Sequence, residues 1–252
     1  MKILFISLGC DKNLADSEEM LGLLTGNGHE IVDSEEEADA IVINTCCFIH
    51  DAKEESVNTI LEMAEYKKTG TCKILIVTGC MAQRYKEEIT EEIPEVDAVL
   101  GTTSYGDIVK ALNEAEAGHV FQEFKDINAL PEDSGRRVIT TGGHFGYLKI
   151  AEGCDKHCTY CIIPSLRGKF RSVPEERLLK QAEYMASQGV RELILVAQET
   201  TVYGTDLYGK KTLHILLKKL CQIKGIRWIR VLYCYPEEIY DELIQVMKEE
   251  KK

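Results

Sequence analysis

The chain has 252 residues, 44% of them apolar and 29% charged, with ten cysteines and a formal net charge of −12. That length can bury two cores of ordinary size, and disulfide scaffolds are small, so the cysteines point to a reduced, cytoplasmic setting in which thiolates serve as metal ligands. The acidic balance disfavours tRNA or any other nucleic acid as partner and suits a basic protein, and no run approaches the ~18 apolar residues of a membrane span.

The first strand is expected at residues 2–7, and its short apolar stretch runs at once into Asp11 and Lys12, with Ser7 where a lipobox wants an apolar residue. That argues for a strand and against a lipoprotein signal. Asp16 and Ser17 can cap a helix carrying Met20, Leu21 and Leu24 that ends near Gly26 and Gly28. Further Ile/Val-rich runs at 40–44, 73–78 and 97–100 read as strands buried on both faces of a parallel sheet. Helical patterns lie between them, at 52–66 and again through Ile108, Val109 and Leu112. Residues 116–140 lose the pattern and read as a linker.

A second βα series follows. Strands are expected at 145–150, 192–196 and 228–233, with helices at 175–188, at 212–223 and from about Glu237 onward. Three βα units make half of a barrel, and the chain stops at Lys252 beside an unpaired parallel edge, which reads as a truncated chain. The expected fold class is therefore α/β: an N-terminal parallel-sheet α/β domain followed by the first half of a (β/α) partial TIM barrel. The corresponding divisions are 1–118, a linker at 119–140, and 141–252.

Six of the cysteines form two sets of three. Cys154, Cys158 and Cys161 are a local C-x₃-C-x₂-C run in the loop after the first barrel strand. Cys10, Cys46 and Cys80, spaced 36 and 34 residues apart, each fall just past a strand of the first series. Parallel strands joined by right-handed crossovers end on one side of the sheet, where open α/β folds place their sites, so three remote residues would meet at one edge. Three thiolates on a four-iron cluster leave one iron open to another ligand. A structural zinc site is the competing reading of the local run, but His157 beside Cys158 is badly placed as a fourth tetrahedral ligand. For the distributed set the competing reading is buried packing cysteines. Cys47 should point away from Cys46 and is taken as a non-ligand, and Cys72, Cys221 and Cys234 as packing residues. The basic turn Arg167-Gly-Lys169-Phe-Arg171 reads either as a solvated loop or as an attraction for anions.

The local run resembles that of radical S-adenosylmethionine enzymes, and the whole chain resembles one family among them, the methylthiotransferases. The carrying segments are Ser7-Leu-Gly-Cys-Asp-Lys-Asn13 with Asp16-Ser-Glu18, Asn44-Thr-Cys46 with Ala52-Lys-Glu-Glu-Ser56, and Gly79-Cys-Met-Ala-Gln-Arg-Tyr85. To these are added Tyr147-Leu-Lys-Ile-Ala-Glu-Gly-Cys-Asp155, Cys158-Thr-Tyr-Cys-Ile-Ile-Pro164 with Arg167-Gly168, and Ala197-Gln-Glu-Thr-Thr-Val-Tyr-Gly204. The match is nearer to the branch that modifies a small-subunit ribosomal protein than to the branch that modifies tRNA. Cys47 stands where that branch usually has glycine, and Glu199 where it has aspartate.

The resemblance implies two [4Fe-4S] clusters and S-adenosyl-L-methionine. The set of Cys154, Cys158 and Cys161 would hold the radical-generating cluster, with Tyr160 near the adenine, and the set of Cys10, Cys46 and Cys80 would hold the cluster that carries sulfur. It implies a transferase that places a methylthio group on the β-carbon of an aspartate, served by an electron donor. It also implies further barrel strands and a TRAM domain beyond this chain. A tRNA methylthiotransferase and a non-catalytic iron–sulfur fragment are the alternatives.

Overall fold

The computed structural model describes residues 1–132 and 134–252. By its contacts the chain divides into two units, Met1–Val138 with Thr159–Arg167, and Ile139–Cys158 with Gly168–Lys252.

The first unit begins β1 (Lys2–Ser7), α1 (Asp11–Gly26), β2 (Glu30–Val32), β3 (Ala40–Thr45), α2 (His50–Thr69) and β4 (Ile74–Gly79). It continues through α3 (Cys80–Arg84), α4 (Lys86–Glu92), β5 (Ala98–Leu100), α5 (Ile108–Glu116) and β6 (Phe121–Glu123). All six strands run parallel, in the order β2-β1-β3-β4-β5-β6. Every residue of β3 and β4 is buried, which is why those strands read as unbroken apolar runs rather than as alternation.

Period-two geometry sends neighbouring side chains to opposite faces. Ile41, Ile43, Leu75 and Val77 pack with Ile60, Met63 and Ala64 of α2 and Ile89 of α4. Val42, Ile74 and Ile76 pack with Met20 and Leu24 of α1 and Ile108, Ala111 and Leu112 of α5. The sheet is thus doubly wound, and its order reverses at β1, which has β2 on one side and β3 on the other. The carboxyl ends of β1 and β3 flank the crevice that such a reversal opens.

Three expectations change here. The first helix starts at Asp11, not at Asp16, with Cys10 in extended conformation as its N-cap. Asp16 and Ser17 sit inside it, because their side chains are used by tertiary partners rather than by the helix end. Within the stretch read as patternless, Phe121–Glu123 pairs with β5 as an edge strand, too short to show a period. Arg137 in the same stretch is buried, its Nε donating to Glu18 Oε2 at 2.8 Å. β2, three residues long, gave no signal for the same reason.

The short helix α6 (Ile163–Arg167) also belongs to the first unit. Leu166 joins the α2-side core, and its carbonyl accepts from Thr102 Oγ1 at 2.8 Å.

The second unit contains β7 (Phe145–Lys149), β8 (Ala151–Glu152), β9 (Arg171–Ser172), α7 (Glu175–Ser187) and β10 (Glu192–Val196). It ends with α8 (Thr205–Tyr208), α9 (Leu213–Cys221), β11 (Trp228–Val231) and α10 (Asp241–Glu249). β7, β10 and β11 form a parallel sheet in the order β11-β10-β7, and β8 pairs antiparallel with β9. Leu148, Leu193 and Leu195 are fully buried, as are Leu178, Ala182 and Met185 of α7 and Leu216 and Leu220 of α9. The last helix starts at Asp241, later than Glu237, because Pro236–Glu238 makes a single 3₁₀ turn and Ile239 and Tyr240 are extended. Among the described residues no helix is long and apolar enough to cross a membrane.

Candidate metal centres

The distributed set lies at the carboxyl edge of the six-stranded sheet. Cys46 follows β3 directly, Cys80 follows β4 and opens α3, and Cys10 precedes α1 after the turn that leaves β1. Cys46 and Cys80 are buried and Cys10 is half-buried. Burial pushes the Cys46 and Cys80 thiols up, the charge of Arg167 pulls both down, each feels Cys10, and Cys80 also feels Cys46. The three sulfurs therefore share one electrostatic neighbourhood.

Two glycines make room for it. Gly9 has φ +90°, and a Cβ there would lie 2.6 Å from Cys46 Cβ and 3.0 Å from Cys46 Sγ. Gly79, with φ +94°, lets the chain turn from β4 straight into Cys80.

Buried hydrogen bonds fix the frame. Asn13 Nδ2 donates to Thr45 O at 2.8 Å and to Leu8 O at 3.1 Å, tying the ends of β1 and β3 together. Its Oδ1 accepts from Arg167 at 2.5 Å and lies 3.9 Å from Cys80 Sγ. Ser56 Oγ accepts from Cys46 N at 3.1 Å and donates to Cys46 O at 2.8 Å. Asn44 Nδ2 donates to Asn13 O and to Ser17 Oγ, both at 2.9 Å.

Arg167 is the largest surprise of the site. Its side chain is 3% exposed and pairs with Asp16, itself 4% exposed, at 2.9 Å. The solvated-loop reading of the basic turn fails for this residue. Lys169, two positions on, is exposed as expected.

Cys47 belongs to the packed core on the α2 side, and its thiol donates to Cys80 O at 3.3 Å. Burial pushes its pKa up to about 12. Cys72 and Cys221 are likewise buried, and Cys234 is half-buried beside Thr200 Oγ1 at 3.4 Å.

The local set begins just past β8. Cys154 N donates to Gly168 O at 3.1 Å, and Asp155 Oδ1 accepts from Phe170 N at 3.1 Å, so the start of the loop is held against β9. Cys158 Sγ lies 3.4 Å from the Tyr235 hydroxyl, and the Lys156 ammonium sits 4.7 Å over the Tyr235 ring. Lys156 and Lys211 both pair with Glu238, at 2.5 and 2.8 Å, and hold its carboxyl down to about 2. His157 adopts φ +49°. Cys154, Cys158 and Cys161 are all half-buried, and Cys161 lies in the segment Thr159–Arg167 that belongs to the first unit. Tyr160 is 82% exposed.

Both sets suit cluster binding by their chemistry. Among the described residues no three His, Cys, Asp or Glu side chains converge on the position of one metal ion. A four-iron body takes its thiolates on separate irons and so asks for wider spacing than zinc does. The buried cation of Arg167 fits an anionic group held by the distributed thiols.

Polar groups in the second unit also stand buried without protein partners among the described residues. Nε2 and Oε1 of Gln198 and Oε2 of Glu199, just past the carboxyl end of β10, are buried without a hydrogen-bond partner among the described residues. Groups so placed cost about 1–3 kcal/mol each unless a ligand or water satisfies them. The amino and carboxylate groups of S-adenosylmethionine are of the kind that would.

A parallel α/β half followed by βα units with C-x₃-C-x₂-C after their first strand defines a radical S-adenosylmethionine enzyme carrying an added N-terminal domain. Residues 148–251 match the Radical SAM superfamily, and residues 2–101 match "Uncharacterized protein family UPF0004". The chain is 66% identical over 252 residues to a protein of Lachnoclostridium phytofermentans named "Ribosomal protein uS12 methylthiotransferase RimO", covering 100% of this chain and 57% of that one. It is 52% identical to the protein of the same name from Clostridioides difficile, over 98% of this chain and 56% of the relative. The chain belongs to the methylthiotransferase family of radical S-adenosylmethionine enzymes. It spans about half the length of the curated relatives it matches. Its fold is similar to that of TsrM from Kitasatospora setae, a radical S-adenosylmethionine methyltransferase solved with cobalamin and a [4Fe-4S] cluster. The TM-score is 0.62 at 11% identity, covering 98% of this chain and 56% of that one.

Sequence reasoning alone assigned no role to Asn13, Asn44 or Ser56 and left Arg167 open between a solvated loop and an attraction for anions. The signal for the first three was their position: buried-type spacing at strand and helix ends, where a polar side chain has little to do except satisfy backbone. Nothing local could show that Arg167 reaches Asp16, 151 residues away.

Proposed function

We propose that the chain is the cluster-binding and radical-generating part of a methylthiotransferase that adds a methylthio group to the β-carbon of an aspartate in ribosomal protein uS12. The observation that carries this reading is the pairing of two three-thiol sets in one chain, one local and one built at the switch point of a doubly wound sheet. Cys154, Cys158 and Cys161 would hold one [4Fe-4S] cluster, and Cys10, Cys46 and Cys80 the other. When bound, these groups supply reductive cleavage of S-adenosylmethionine to a carbon radical and the sulfur to be inserted, with electrons from an external donor.

The chain's own residues do the rest. Gln198 and Glu199 present buried polar atoms for the charged end of S-adenosylmethionine. Tyr160 offers an exposed ring for the adenine. The net charge of −12 suits a basic ribosomal protein in the cytoplasm and opposes tRNA, whose phosphates demand a basic surface.

Anaerobic reconstitution tests the assignment. The unsubstituted chain should take up about eight irons, and replacement of either triplet by Ala should leave about four. An iron content near four that the Cys10, Cys46 and Cys80 replacement leaves unchanged would sink the second site. Incubating the loaded chain with S-adenosylmethionine, a reductant and either uS12 or tRNA separates the two enzyme branches, since only the true substrate gains mass.

A further inference from the structure

We propose that Arg167 is the charge-bearing positioning residue of the distributed thiol site, set to balance a cluster held by Cys10, Cys46 and Cys80. This rests on the assignment of that set as a cluster site. A guanidinium 3% exposed is costly unless compensated on every side. Asp16 Oδ2 takes one nitrogen at 2.9 Å and Asn13 Oδ1 the other at 2.5 Å. The same Asn13 oxygen lies 3.9 Å from Cys80 Sγ. One asparagine oxygen thus joins the buried guanidinium to the Cys80 sulfur. An Arg–Asp pair that served the fold alone would not need to share an asparagine oxygen with one of the three thiols.

The need for such a charge follows from the donor set. Three thiolates outweigh the positive charge of an oxidised four-iron core, and one-electron reduction makes the assembly more negative still. In a site where Cys46 and Cys80 are buried, water cannot supply the balance. A fixed cation does so without reorganisation, and net charge and hydrogen bonds to sulfur are among the groups' main controls on potential. Asp16 in turn holds the cation and weakens it. Arg167 lies six positions after Cys161, so one short segment carries both the last thiol of the local set and the counter-charge of the distributed one.

The test uses the whole chain with Cys154, Cys158 and Cys161 replaced by Ala, so that only the distributed site takes up iron. In that background the iron count and the midpoint potential are measured for Arg167→Gln, Arg167→Lys and Asp16→Asn. Arg167→Gln should make the reduction equilibrium about tenfold less favourable, a shift of about 59 mV for one electron. Lys should restore most of it. Asp16→Asn should shift the potential the opposite way, and it gives a reading even where Arg167→Gln fails to fold. Potentials that stay within about twofold of the parent's equilibrium, in variants that fold and hold iron, would overturn the role of Arg167. Absence of iron from the parent background would instead overturn the cluster assignment, and this inference with it.

Discussion

The two thiol sets are built in opposite ways. The distributed set is assembled by topology: three strand ends meet because parallel crossovers return to one edge, and Asn13, Ser56 and Arg167 lock them with buried bonds. The local set is assembled by chain spacing, in a loop supported by one backbone and one side-chain hydrogen bond to the approach to β9 and by the Tyr235 hydroxyl. A site made by spacing tolerates movement of the surrounding fold. One made by topology depends on every strand end holding its place.

The largest way to break that contrast is at Gly9. A β-branched residue there meets both a left-handed backbone and Cys46, so Gly9→Val should abolish the distributed site. Reconstituted iron should fall from about eight to about four while the local site stays loaded. Loss of both would mean that the sets are not independent.

Asn13→Ala is a smaller blow to the same region. It deprives Thr45 O and Leu8 O of a donor, at about 1–3 kcal/mol for each acceptor left unsatisfied. Thermal melting of the iron-free chain should fall by several degrees. Substitution of the exposed Asp155, by contrast, concerns a single loop contact, to Phe170 N.

The smallest effect sharpens the other side of the comparison. Lys156 and Lys211 depress the Glu238 carboxyl from its ordinary 4.5 to about 2. A carboxyl that titrates lower in the folded than in the unfolded chain adds stability in full above 4.5 and loses it as pH falls toward 2. Glu238→Gln should therefore cost about 1 kcal/mol or less at pH 6, and the gap to the parent in urea unfolding should narrow across that window. Asn13→Ala should show no such pH dependence there, since its partners, two backbone carbonyls and the Arg167 guanidinium, do not titrate in that window.

Much of the fold was legible because burial on both faces leaves β3 and β4 as apolar runs, and because α2, α5 and α7 carry one apolar face each. Short elements escaped: β2 and β6 have three residues apiece, less than two periods of a strand. The start of α1 was misread because Asp16 and Ser17 are good caps taken by other duties, one by Arg167 and one by Asn44.

What the amino-acid order settled by itself was local: the C-x₃-C-x₂-C run and the strand and helix periods. The tertiary structure alone decided which distant groups share a low-dielectric neighbourhood. It set Cys10 and Cys46 beside the reversal of the sheet, sent Cys47 into the core, and brought Arg167 to Asp16, Asn13 and Cys80. Spacing is written in sequence, but the electrostatics of a site depend on distances through space, and those exist only once the strands have paired.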